Sequence, residues 1–221
     1  MIVDLLAWLA SLAPDARDAA VEKHLGIDVQ VSSASPGEHL VGYHASGVAP
    51  IVHALLEVPV TSEDVLFDIG AGLGKVLLLA RLLTGATTRG VELQSAMADH
   101  ARAAARRLAL DIEVTVSDAR DADLFSGTVF FLYLPFTGPV LLEILDRLRA
   151  VADQRAIVVC TLGLDLEPHA PWLVRREIDS FWLAIYDSAI DGVPARARST
   201  PSSLLRRAAT LAVAYEAPRD P

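Results

Sequence analysis

Asp68, Glu92 and Asp118 are three carboxylates that each stand at the end of a strand-like segment, and glycines crowd behind the first of them. In Val65-Leu-Phe-Asp-Ile-Gly-Ala-Gly-Leu-Gly-Lys75 the glycines recur at alternate positions, Gly70, Gly72 and Gly74, and an apolar helical pattern starts at Val76. Such a stretch reads as a buried strand, a tight turn and a helix N-terminus, which together bring backbone N–H groups and a helix dipole to a nucleotide-like ligand. An acid two residues before the first glycine suits an ammonium group rather than a phosphate. Glu92 lies about 20 residues beyond the glycine loop, where a carboxylate can accept from two ribose hydroxyls. Asp118, with Ala119, follows a third, alternating strand-like segment and can accept from an adenine amine.

Two familiar glycine loops fail the count. A P-loop would need its first glycine at Ile69 and a hydroxyl at Val76. The dinucleotide fingerprint would place its third glycine at Lys75 and leave Gly74 surplus. The spacing therefore points to S-adenosyl-L-methionine (SAM), with Asp68, Gly70, Ala71, Gly72 and Gly74 at the methionine end, Glu92 and Leu93 at the ribose, and Asp118 and Ala119 at the adenine.

Four strands must carry these groups. They are read at 65–69, Thr87-Thr-Arg-Gly-Val-Glu92, Ile112-Glu-Val-Thr-Val116 and Thr128-Val-Phe-Phe-Leu-Tyr-Leu-Pro-Phe136, with a fifth over 155–160 and a helix over 138–150. Asp68-Ile-Gly-Ala-Gly-Leu-Gly74, Glu92 and Asp118-Ala119 resemble the successive motifs of the class I, seven-strand SAM-dependent methyltransferases. The resemblance covers roughly residues 60–160. Gly90-Val-Glu92 and Tyr133-Leu-Pro-Phe-Thr-Gly-Pro139 are also similar to the non-SET histone lysine methyltransferases and their small bacterial relatives.

The resemblance implies an α/β fold: a doubly wound, mostly parallel seven-strand sheet with a C-terminal antiparallel pair and an N-terminal helical cap. The pair is expected at Glu177–Tyr186 and Thr210–Tyr215. The cap is expected over 1–57, ahead of a core over 58–221. Within the cap an apolar stripe (Ile2, Leu5, Leu6, Leu9, Leu12) reads as a docking helix ended by Pro14, and alternatively as a homodimer contact. Further helices are read over 15–24 and 47–57. Tyr43 and His44 precede the core, where class members fold a lid over the cofactor.

The implied reaction is methyl transfer to a nitrogen acceptor on a protein lysine or a small molecule. Tyr133 edges both cofactor and acceptor, and Tyr133 and His44 are the expected catalytic pair. Leu134, Pro135 and Phe136 shape the acceptor channel, the proline fixing the turn. DNA amino-methylating enzymes begin this turn with Asn or Asp, and Tyr133-Leu134 offers neither. A net charge of −9 disfavours a broad nucleic-acid footprint. The local exception is the basic stretch 195–207, read as a solvated loop.

A single cysteine, Cys160, permits no intrachain disulfide, which fits a cytoplasmic setting, and no cluster has metal spacing. The apolar N-terminus lacks a basic flank and is too short to span a membrane. Two other readings stand beside the enzyme: a SAM-binding module without catalysis, and a nicotinamide-dependent oxidoreductase.

Overall fold

The computed structural model describes residues 2–28, 42, 44–133, 136–190 and 193–194. Three helices come first: α1 (Ile2–Ser11), α2 (Pro14–Leu25) and α3 (Val48–Glu57). Then β1 (Val65–Ile69), α4 (Lys75–Thr84), β2 (Thr87–Glu92), α5 (Ser95–Arg107) and β3 (Glu113–Val116) alternate. β4 (Val129–Tyr133), α6 (Gly138–Ala152), β5 (Val158–Leu162), β6 (Leu173–Arg175), β7 (Leu183–Ile190) and the short β8 (Val193–Pro194) complete the order.

The strands lie in the order β3-β2-β1-β4-β5-β7-β6, with β8 paired to β7. β1 to β5 are parallel, whereas β7 runs antiparallel to both β5 and β6. The chain steps back beside its start between β3 and β4, so the sheet reverses its winding next to β1. In open α/β sheets a ligand crevice forms at that switch, outside the carboxyl ends of the strands.

The apolar runs hide a period of two. Leu66, Phe131, Val158 and Cys160 face a core shared with α1 to α5. Phe67, Ile69, Phe130, Leu132 and Val159 face a second core with α6. Covering both faces is why the central strands read as unbroken hydrophobic sequence.

Helix α1 places Leu9 in the first core and packs Leu5 and Leu6 against it, joined by Leu12 just past its end. Leu5, Leu6, Leu9 and Leu12 of the N-terminal stripe therefore dock on the chain's own core. Pro14, expected to end α1, opens α2 at its first turn, where a missing N–H costs nothing.

Two boundaries move. The fifth strand runs 158–162 rather than 155–160, because Ile157 is held by Ser188 across the strand start: its N–H donates to Ser188 Oγ and its carbonyl accepts from Ser188 N–H. The antiparallel pair forms between Leu173–Arg175 and Leu183–Ile190. The first partner is only three residues long, too short to show a period in the sequence; the segment 210–215 lies outside the described residues.

Candidate functional site

The three acids lie at the carboxyl edge of neighbouring strands. Asp68 is next to last in β1 and pairs across to Gly90 on one side and Phe131 on the other. Glu92 ends β2 opposite Val116, and Asp118 follows β3 by two residues.

The glycine loop turns over this edge. Gly70, Gly72 and Gly74 have φ of 89°, 52° and 81°, a left-handed region that a Cβ disfavours. The N–H groups of Gly70 and Ala71 both donate to Val91 O at 2.9 Å, lashing the loop to β2. Gly90 makes this contact close: a Cβ there would stand 2.8 Å from Ala71 Cβ and 2.9 Å from Leu77 Cδ1.

Glu92 is buried and clamped. Its Oε2 accepts from Gly72 N–H and its Oε1 from Gln94 N–H, both at 2.8 Å. The acid thus braces the loop while one face of the carboxylate keeps lone pairs to offer. Leu93, beside it, is 51% exposed, an apolar side chain left at the rim.

Asp68 is buried to 3% exposure, and no described donor reaches its carboxylate. Burial, and behind it the charge of Glu92, pushes the Asp68 carboxyl up to about 8. A buried acid without a donor is costly unless a cation arrives.

Asp118 differs. Its carboxylate caps the short turn 119–121 through Arg120 N–H at 2.9 Å and pairs with the Arg120 side chain at 3.0 and 2.8 Å. Those bonds hold it below the usual carboxylate range, against the opposing effect of burial. Ala119 follows, partly buried, on the second core.

Across the switch, β4 ends in Tyr133, which meets His44 edge-on with ring centroids 6.4 Å apart. The fold thus brings together the two side chains expected to act as a pair. Phe136 is buried in the second core rather than open to a channel. Tyr43, Leu134, Pro135 and the basic stretch 195–207 lie outside the described residues.

No family model and no curated protein sequence matches this chain. Solved structures do. An RNA methyltransferase from Salinibacter ruber, in complex with S-adenosyl-L-homocysteine, is 22% identical with a TM-score of 0.52, over 72% of this chain and all of that one. A structure from work on the conversion of a disulfide bond into a thioacetal group during echinomycin biosynthesis is 17% identical with a TM-score of 0.51, over 63% of this chain and 81% of that one. The chain has the class I methyltransferase fold.

In this methyltransferase fold a lysine that the glycine count only excludes from a P-loop has a structural role. Lys75, the first residue of α4, is buried. Its Nζ forms an ion pair with Glu22 of α2 and donates to Ser46 O at 2.8 Å. Asp18, one turn before Glu22, accepts from Val48 N–H at the start of α3. The glycine loop and the segment carrying His44 are therefore tied to the same helix. The sequence signal is the unbroken apolar run Val76–Ala80 that follows Lys75: at the head of a buried helix an ammonium has to find an acid or a carbonyl.

Among the described residues no group of His, Cys, Asp and Glu can hold a metal ion, and no helix is long and apolar enough to cross a membrane.

Proposed function

We propose that this chain is a SAM-dependent methyltransferase acting on a nitrogen of a protein lysine or a small molecule in the cytoplasm. The observation that carries the reading is Asp68: a buried carboxylate with no described donor, beside a left-handed glycine loop and a braced Glu92. The donor set matches the ligand part by part. Asp68 takes the methionine ammonium, with Gly70, Ala71, Gly72 and Gly74 supplying backbone at close approach. Glu92 offers lone pairs to the ribose, with the exposed Leu93 beside it. Asp118 and Ala119 meet the adenine edge, with Arg120 holding the Asp118 carboxylate in place.

When bound, SAM supplies an electrophilic methyl group. The work left to the chain is alignment and exclusion of water. Tyr133 and His44 flank the reacting side, where an aromatic face favours a cationic sulfonium or ammonium. An amine acceptor has to shed its proton, and desolvation beside these rings lowers its pKa. Residues 1–57 act as a cap over the cofactor mouth, with Tyr43 and His44 toward the ligand and 58–221 as the core; the Lys75 tie supports this assignment.

The similar structure from Salinibacter ruber acts on RNA, so RNA is the rival acceptor. The net charge of −9 favours the nitrogen of a cationic or neutral acceptor instead. Calorimetric titration with SAM and NAD tests the cofactor: SAM binding is expected, and NAD binding without SAM binding would overturn the reading. A radiolabelled methyl assay on protein lysate, metabolite extract, DNA and RNA tests the acceptor. Label mainly in nucleic acid would refute the amine acceptor, and label in none would favour a binding module without catalysis.

A further inference from the structure

The loop between β6 and β7 carries two aromatic side chains that the proposed transfer does not use. Phe181 and Trp182 are 89% and 63% exposed, and their rings meet at right angles with centroids 5.1 Å apart. Two large apolar side chains held side by side in water are unfavourable for a monomer and mark a contact surface.

The loop that presents them is built. Leu183 N–H donates to Ser180 Oγ at 3.2 Å, Ser180 N–H donates to Ile178 O at 3.1 Å, and Gly163 N–H donates to Trp182 O at 3.0 Å. Register fixes where it stands. Leu183 pairs with Leu162, and Leu162 pairs with Tyr133. The aromatic pair therefore leads into the sheet at its carboxyl edge, through Leu183, two strand spacings or about 10 Å from the Tyr133 strand end.

Four residues of the same loop, Arg176, Glu177, Ile178 and Asp179, line an open groove of about 670 Å³ together with Glu167 and Arg175. Its cations are already paired. Arg176 makes two 2.7 Å bonds to Asp187, and Arg175 meets Glu167 at 3.4 Å. Glu177 and Asp179 are exposed and pair with no described cation, which leaves the groove acidic.

We propose that Phe181, Trp182, Glu177 and Asp179 form a docking platform for a lysine-rich segment of a protein acceptor, beside the transfer site. The proposal rests on the methyl-transfer reading for its purpose, not for its binding. Ring faces attract ammonium groups, and the acids draw a basic segment toward the rim in a salt-dependent way. The same acids repel phosphates, which sets the platform against RNA even though bases stack on aromatic rings.

The test uses the full chain, a synthetic peptide of alternating Lys and Gly, its Glu–Gly counterpart and a single-stranded RNA oligonucleotide, each followed by calorimetry. The Lys–Gly peptide should bind and the Glu–Gly peptide should not. Trp182→Ala and Phe181→Ala should each weaken the Lys–Gly peptide by roughly three- to tenfold, Trp182→Phe should restore most of it, and SAM should titrate unchanged in all three. No binding of the Lys–Gly peptide, equal binding by Trp182→Ala, or tighter binding of RNA through the same two residues would overturn the platform. Loss of SAM binding in the parent chain with peptide binding intact would instead overturn the transfer reading and leave the platform standing.

Discussion

Replacing Asp68 by Asn should stabilise this protein while it destroys cofactor binding. An unfolded carboxyl titrates near 3.8, and burial with the Glu92 charge raises the folded value to about 8. The folded state therefore keeps a proton that the unfolded state releases, and stability falls as pH rises from 3.8 through about 8. Each unit of difference corresponds to about 1.36 kcal/mol. The interval from 3.8 to neutrality then amounts to about 4 kcal/mol at most, and the interval to pH 5 to about 2 kcal/mol. Asn carries no charge at any of these pH values, so its advantage should be small in acid and largest near pH 8. Even a quarter of the neutral-pH figure, about 1 kcal/mol, would shift Tm by roughly 2–4 °C in a chain of this size. With SAM present the order should invert, since ligand binding stabilises only the protein that can bind it. Thermal and denaturant unfolding near pH 5 and pH 8, with and without SAM, measures all four quantities. An Asn variant less stable than the parent near pH 8, or a difference that does not grow with pH, would show that Asp68 has a structural partner instead.

Glu92→Ala removes the acceptor for two 2.8 Å backbone bonds and the expected ribose contact. SAM affinity should fall by about 1.5–3 kcal/mol for each charged bond lost, and an unchanged Kd in a folded variant would count against a cofactor role. Gly90→Ala places a Cβ 2.8 Å from Ala71 and 3.2 Å from Asp68 O. It should cost roughly 1–3 kcal/mol in a denaturant melt, and a neutral result would mean the glycine loop gives way easily. Lys75→Met strands Glu22, which is buried except for 17% of its side chain. A loss of roughly 3 kcal/mol is expected, with recovery when Glu22→Leu is added; a double variant no better than the single would argue against the ion pair as the tie.

Asp68, the alternate glycines, Glu92 and Asp118 were legible because their spacing follows from the strand–turn–helix geometry alone. A parallel strand buried on both faces is continuous apolar sequence, and the group at its carboxyl end is a local matter. Thr87–Glu92 is legible to the residue, since Gly85 shortly precedes it and an acid ends it. The C-terminal strands were not: Leu173–Arg175 is three residues long and pairs only because β7 lies beside it.

Sequence by itself determined the fold class, the glycine loop and the order of the acids, since each is written in residues close together in the chain. Tertiary structure decided what those acids are. Asp68 is raised by burial and Asp118 is lowered by Arg120, although both are aspartates at strand ends. Tertiary structure also joined Lys75 to Glu22, His44 to Tyr133 and the aromatic pair to the rim. Desolvation and pairing depend on what the rest of the chain packs around a group, and local spacing carries no record of groups brought together from distant segments.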